Sequence, residues 1–325
     1  MEYTGIVILN YNNYEDTFNC IDSIEKHNSS QIKFFIVDNA STRDGVVNSL
    51  DSYFHAKYEG RYLKLGNGDC YNGDYPYLTF IISDINGGYA QGNNLGLKQA
   101  FNDPQINNIM ILNNDVLFVE DIIPGLIEKV KILPQCGIIS PILYKKNFEG
   151  LDYNCGRSAM TFRHAILQNL TMGKPWFGIK QKIDDEQYIL KQIPEAISKE
   201  YVEIDYPSGS CMFASIQLWK EIDGFDPNTF LFYEEAILFS KTQRIRKQNY
   251  LIPSLKCIHL GASSTSKSTS PKQTKLAFQS KKYYMLNYFN SNFFQKIILR
   301  ITLFLDQIAL FVKFDVLGFS NSSKK

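Results

Sequence analysis

The stretch Ile109–Asp121, IMILNNDVLFVED, decides the fold. Four consecutive apolar residues, Ile109 to Leu112, suit a strand buried on both faces of a parallel sheet. Asn113, Asn114 and Asp115 then interrupt the run before it turns apolar again. Such a triplet would lie at the carboxyl end of its strand, the edge at which open α/β sheets bind ligands. A plain turn also begins with Asn and Asp, so the triplet alone leaves both readings open.

Working outward, helical and strand patterns alternate. GIVILN (Gly5–Asn10) is a continuous apolar strand, and Tyr14–His27 puts Phe18, Ile21 and Ile24 on one helical face. KFFIVDNAS is a second strand ending in Asp38 and Asn39, and LTFIIS (Leu78–Ser83) a third. GYAQGNNLGLKQAF after it is helical; NIMIL is the fourth strand, followed by a helix near Ile122–Leu133 and a fifth strand at GIISPILY. This rhythm predicts an α/β fold with a mostly parallel sheet flanked by helices. Residues 51–77 form a Gly- and Tyr-rich insertion without an assigned element, and Glu149–Lys199 reads as hairpins or a flap over one end of the sheet. In YVEIDYPSGSCMFASIQLWKEIDGFD a strand enters Pro207–Ser210, another leaves it, and a short helix ends before Gly224. A helix is expected over Tyr233–Gln248, and CIHLGASST closes the core region.

Hydrophobic content of 44% and charged content of 21% are ordinary for a globular chain, and 325 residues allow one or two domains. The cysteines (Cys20, Cys70, Cys136, Cys155, Cys211, Cys257) form no CxxC pair. Cys20 and Cys136 fall in apolar patterns, as reduced core residues do, and the N-terminus enters a strand at once, so a cytoplasmic protein without a signal peptide is expected. Net charge is +1, but Thr265–Lys325 alone carries +8, a basic tail suited to an anionic partner. Within it, NFFQKIILRITLFLDQIALFVKF is interrupted by Lys296, Arg300, Asp306 and Lys313 and has no apolar run near the roughly 20 residues of a spanning helix. An amphipathic helix in a membrane surface is the expectation for 292–325; packing on the chain's own body or on a second subunit is the alternative.

Three strand ends carry polar groups: Asn10-Tyr11-Asn12, Asp38-Asn39 and Asn113-Asn114-Asp115. In a parallel sheet they share one edge and can converge on a ligand, although each could also cap the next helix. Gly88, Gly92 and Gly96 recur at four-residue spacing, which permits either close ligand approach or tight helix–sheet packing. Asp115 is a hard oxygen ligand for Mg²⁺ or Mn²⁺. His259 ends an apolar strand, where a histidine is more often structural. Glu234 and Glu235, between Phe232-Tyr233 and an apolar helix, suit a helix N-terminus and equally a general base. No GxGxxG follows the first strand, which disfavours a dehydrogenase.

Taken in series, IVILNYNNYEDTFNCIDSI, FIVDNAST, NGGYAQGNNLGL, ILNNDV, SGSCMFASIQLWKEIDGFD, FYEEAIL and CIHLGASST resemble family 2 glycosyltransferases over roughly residues 3 to 290, most closely the bacterial rhamnosyltransferase-like branch. The resemblance implies a GT-A fold and inverting transfer from a nucleotide diphosphate sugar, dTDP- or UDP-linked, to a saccharide or lipid-linked saccharide in bacterial surface polysaccharide synthesis. A catalytically decayed nucleotide-sugar-binding or scaffold subunit is the alternative. By position, Asn10 and Asp38 would hold nucleobase and ribose, Tyr11 and Asn39 would join them in binding substrate, and Gly88 and Asn93 would lie beside the nucleotide. Asn113, Asn114 and Asp115 take the place of the DxD motif, with Asp115 and His259 as ligands of a Mg²⁺ or Mn²⁺ ion. Asn113 departs from the strict pattern, and Ile237 replaces a common acid. Glu235 falls where the family has its catalytic base, Glu234 would orient the acceptor, and Ser210 would line the sugar pocket. The implied division is a GT-A domain over 1–265, with a nucleotide half to about 117 and an acceptor half from 118, then a basic helical extension over 266–325. Nucleic acid is not an expected partner, peripheral contact with the inner face of the cytoplasmic membrane is, and a homodimer stays open.

Overall fold

The structure is a computed structural model that describes residues 2–69, 71, 73–170, 185–261 and 270–318. Strands β1 (Tyr3–Asn10), β2 (Gln31–Asp38), β3 (Tyr62–Leu65), β4 (Leu78–Ile82) and β5 (Ile106–Asn113) pair in parallel in the order β3-β4-β2-β1-β5. After the hairpin strand β6 (Val116–Phe118) come β7 (Cys136–Tyr144), β8 (Gly156–Arg157), β9 (Val202–Ile204), β10 (Tyr206–Pro207), β11 (Cys211–Ser215) and β12 (Gln248–His259). β11 runs antiparallel to β5 and β7, β12 runs parallel to β7, and β6 and β9 pair antiparallel with β12, which completes a 10-stranded sheet. β8 and β10 form a separate two-stranded ribbon.

The alternation of side chains divides the core between the two faces of the sheet. Ile6 and Ile8 face one way and pack with Cys20, Ile21 and Ile24 of the helix Tyr14–His27. Val7 faces the other way, with Val37, Ile109, Ile111, Trp219 and the helix Gly88–Asn102. All of these side chains are buried, which is why the strands read as unbroken apolar runs. The Gly88 helix lies so close to β1 that a Cβ on Gly96 would come within 2.4 Å of Val7 Cγ1, and one on Gly92 within 2.5 Å of Leu9 Cδ1. At these two positions the glycines serve helix–sheet packing.

Three segments differ from the sequence expectation. The insertion is partly regular: a helix over Val46–Lys57 buries Val46, Leu50 and Phe54 at four-residue spacing, and β3 extends the sheet edge. That helix starts at Gly45 in the left-handed region without a side-chain cap, so no N-terminal signal announces it. The middle segment holds short 3-10 turns, the β8–β10 ribbon and a helix Phe162–Leu170; its residues 171–184 lie outside the described residues. The expected helix Tyr233–Gln248 is shorter, Glu234–Arg244, because Gln248 already belongs to β12. Of CIHLGASST, residues from Ala262 onward lie outside the described residues, as does Cys70. Among the other cysteines, Cys20 is buried and Cys136 half-buried, both as free thiols.

The C-terminal residues form two helices, Pro271–Asn287 and Phe293–Phe311, each with a capping box, followed by one short turn. They pack on Ala165, Tyr206, Ala236 and Ile237 through Tyr284, Met285, Phe289, Leu299 and Leu303. Gly96→Ala should overpack the helix–β1 contact and cost about 1–3 kcal/mol, read as a lower urea midpoint with unchanged slope.

Candidate active site

Strand register assembles the site. Asn10 stands opposite Asp38, and Leu9 opposite Asn113, so the three polar strand ends share one edge. Pairing of β6 with β12 sets His259 opposite Val116, the residue after Asp115, and Leu260 N–H donates to the Asp115 carbonyl at 2.9 Å. His259 Nε2 lies 3.4 Å from Asp115 Oδ1, and its Nδ1 lies 2.8 Å from Asp152 Oδ2. Burial pulls the imidazole pKa down, but the hydrogen bonds and charges of the two aspartates outweigh it and hold His259 at about 9. Asp152 is likewise raised by burial and brought below its usual value by His259.

The turn between β10 and β11 ties the site together. Gly209 N–H donates to Glu235 Oε1 at 3.0 Å, and Asn113 N–H donates to the Ser210 carbonyl at 2.9 Å. Ser210 Oγ is 3.2 Å from His259 Nε2. Tyr89, at the start of the Gly88 helix, donates its hydroxyl to the Gly209 carbonyl at 2.5 Å. One short turn therefore touches the acid-bearing helix, the polar triplet and the histidine.

The remaining sequence-derived residues divide into those on the edge and those spent inside it. Asn10 accepts from Thr17 Oγ1 at 2.9 Å and donates to Asp38 Oδ1 at 2.7 Å. Asp38 is fully buried and also accepts from Ser41 Oγ at 2.6 Å and Ser41 N–H at 3.0 Å. Asn39 donates to Asn86 Oδ1 and to the Gly88 carbonyl, each at 3.0 Å, which fixes the turn before the Gly88 helix. Asn114 donates to the Asn13 carbonyl at 3.0 Å and Thr17 Oγ1 at 3.1 Å. Asn93 is buried and donates to the Tyr89 carbonyl at 2.9 Å, while its Oδ1 has no hydrogen-bond partner. Gly88, with φ +76°, has room for no side chain, since a Cβ there would lie 2.0 Å from the Phe230 carbonyl. Tyr11 and Asn113 stay half-buried on the edge. These contacts give Asn10, Asp38, Asn39 and Asn114 supporting work within the protein.

Asp115 and His259 suit a divalent cation chemically: a hard carboxylate and an imidazole nitrogen face each other, and Asp152 occupies the far ring nitrogen, as carboxylates do behind metal-bound histidines. Among the described residues, no group of three or more His, Cys, Asp or Glu is placed to hold a metal ion, so Asp115 and His259 stand as a pair. Asp152 is the residue that sequence reading missed. It sits in an irregular segment, capping the turn Tyr153–Cys155, and no spacing links it to His259.

Glu234 and Glu235 open their helix in different surroundings. Glu235 is half-buried against the Gly209 amide, whereas Glu234 is 4% exposed and its Oε1 has no hydrogen-bond partner. Burial, reinforced by the Glu235 charge, raises the Glu234 pKa.

A family model, glycosyl transferase family 2, matches residues 5–183, more than half of the chain. The chain belongs to that family. This family 2 chain is 23% identical over 240 residues to the low-salt glycan biosynthesis hexosyltransferase Agl10 of Haloferax volcanii, spanning 74% of this chain and 61% of that protein. It is 20% identical over 204 residues to an N-acetylglucosaminyl-diphospho-decaprenol L-rhamnosyltransferase of Mycobacterium tuberculosis, spanning 59% of this chain and 62% of that protein. The chain thus spans about three-fifths of the length of the curated relatives it matches. Among solved structures, GalNAc-T7 with UDP, GalNAc and Mn²⁺ superposes with a TM-score of 0.58 at 10% identity, covering 96% of this chain and 57% of that one. The fold is the GT-A fold expected from the sequence.

The raised Glu234 pKa has a definite sign. The folded state holds this proton more tightly than the unfolded chain does, so the residue weakens the fold as pH rises from its ordinary value of 4.5 through the raised one. Glu234→Gln should therefore gain stability relative to wild type between pH 5 and pH 8, read from urea midpoints at each pH.

Proposed function

We propose that this family 2 chain is an inverting glycosyltransferase that moves a sugar from a dTDP- or UDP-linked donor to a saccharide or lipid-linked saccharide in bacterial surface polysaccharide synthesis. The observation that carries the reading is the Ser208–Ser210 turn, which joins Glu235, Asn113 and His259 on one sheet edge. The curated relatives, a hexosyltransferase and a rhamnosyltransferase, support sugar transfer as the reaction.

Glu235 is the base. Its Oε1 is held by the Gly209 amide, and its carboxylate takes the proton of the acceptor hydroxyl as that oxygen attacks the anomeric carbon. The bond from that carbon to the diphosphate breaks on the opposite face, its electron pair leaves with the nucleotide, and the configuration inverts. Asp115 and His259 would hold Mg²⁺ or Mn²⁺, which when bound offsets the charge developing on the departing diphosphate. Asp152 and Ser210 keep His259 turned toward Asp115. Asn113, Tyr11, Gly88 and Asn93 border the nucleotide side, with Asn10, Asp38 and Asn39 shaping it from behind. Burial beside Glu235 favours the protonated form of Glu234.

The division that goes with this reading is a catalytic domain over 1–265 and an extension over 266–325 that meets the membrane surface from the cytoplasmic side. The helix Phe293–Phe311 supports it: Phe293, Phe294, Ile301, Phe304 and Phe311 are each more than half exposed, while Thr302 and Asp306 are buried. Lys296 and Arg300 are exposed on the same helix, suited to lipid phosphates. Among the described residues no helix is long and apolar enough to cross a membrane.

Calorimetric titration with UDP, dTDP and GDP, each with Mn²⁺, Mg²⁺ or EDTA, tests the donor site. Metal-dependent binding of one nucleotide is expected, and failure of all three by a folded protein would favour a decayed or scaffold subunit. Glu235→Gln should lower transfer by about 10²–10⁴-fold while nucleotide binding persists. Phe294→Glu with Phe304→Glu should abolish flotation with vesicles containing anionic lipid and leave nucleotide binding intact; unchanged flotation would refute membrane contact through this helix.

A further inference from the structure

Asp226–Tyr233 leads directly into Glu234 and Glu235, and its last two residues are held in a backbone region that side chains with a Cβ rarely occupy. Phe232 has φ 74° and Tyr233 φ 72°. Two successive aromatic residues in the left-handed region persist only where their surroundings enforce it. At one end the enforcement comes from the catalytic body, where Tyr89 N–H donates to the Phe230 carbonyl at 2.9 Å. Elsewhere it comes from the C-terminal helices.

Two phenols of the helix Pro271–Asn287 and the turn after it converge on one oxygen of a buried carboxylate. Tyr283 Oη donates to Asp226 Oδ2 at 2.9 Å, and the Tyr288 hydroxyl donates to the same oxygen. Asp226 Oδ1 is engaged by Asn228 N–H at 2.9 Å and Asn228 Nδ2 at 2.8 Å, and Asn228 Nδ2 also reaches Tyr283 Oη at 3.1 Å. Between these two tyrosines, Tyr284 stacks on Tyr233 with ring centroids 5.4 Å apart and planes 30° apart. Tyr233 Oη donates to Gln168 Oε1 at 3.0 Å, and the neighbouring Asn169 is tied to Thr302 Oγ1 at 3.1 Å. Packing alone would need apolar contacts; charge-assisted hydrogen bonds to a single oxygen add a directional constraint. Asp226 is thereby committed to holding the loop.

We infer that Tyr283, Tyr284 and Tyr288 are positioning residues for sugar transfer, and that the C-terminal helices complete the catalytic unit by locking the loop that presents Glu235. The inference rests on Glu235 as the base. It makes the extension part of the reaction machinery in addition to its contact with membrane.

The test uses the full chain and the double variant Tyr283→Phe/Tyr288→Phe, which removes two hydroxyls and keeps both rings. Hydrogen exchange followed by mass spectrometry should be about 10-fold faster for amides 226–237 and unchanged in β1, β2 and β5. Turnover of UDP-glucose, dTDP-rhamnose or GDP-mannose, whichever the wild-type protein uses, should show kcat lowered about 10-fold with donor KM within about twofold. Unchanged exchange overturns the inference, as does faster exchange with unchanged kcat. A general rise in exchange with a lower melting temperature and lost nucleotide binding would mean structural support only, and overturns it as well. Glu235→Gln run alongside separates the two readings: full turnover there removes the base assignment, and the positioning role falls with it.

Discussion

The amide of Gly209 is the contact on which the site's geometry hangs. It donates to Glu235, its carbonyl accepts from Tyr89, and the next residue meets both Asn113 and His259. A Cβ on Gly209 would lie 2.8 Å from Glu235 Oε1 and 3.1 Å from Tyr89 Oη, so the turn admits only glycine without moving the carboxylate. The antiparallel insertion of β11 between β5 and β7 makes this possible. β11 starts at the polar edge, with Cys211 opposite Leu112, and runs away from it, so the turn that precedes it lies beside a strand that reached that edge much earlier in sequence.

Behind that turn, most of the polar residues at the strand ends are structural in a productive sense. Buried amides and carboxylates are costly unless fully hydrogen-bonded, and Asn10, Asp38, Ser41 and Thr17 satisfy one another across β1 and β2. Such a network fixes the shape of the edge at which a nucleotide would rest. Glu234 departs from this rule. It remains buried with an unmatched oxygen beside a second acid, an arrangement tolerated where function outweighs stability.

The architecture was legible because it rests on local periodicity. Both faces of the sheet are covered, so β1, β2 and β5 appear as uninterrupted apolar runs, and their polar ends mark the edge. The residues at 113–115, 234–235 and 259 could be named from their order along the chain. What each one touches could not, because contacts follow register and long-range packing. Asp152 reaches His259 across 107 positions from an irregular segment, and Tyr283 and Tyr288 reach Asp226 across 57 and 62. The helix Val46–Lys57 escaped notice for a different reason: its apolar spacing is regular, but it lacks a side-chain cap and runs into a glycine- and tyrosine-rich stretch.

The helix Phe293–Phe311 carries apolar side chains on its outer face as well as on its inner one, where Leu299, Leu303 and Leu310 are buried. Asp306 pairs with Lys281 in the interior while phenylalanines and isoleucines point outward. Water penalises such a ladder wherever it is uncovered. Any surface that covered the face would gain the free energy of taking those side chains out of water.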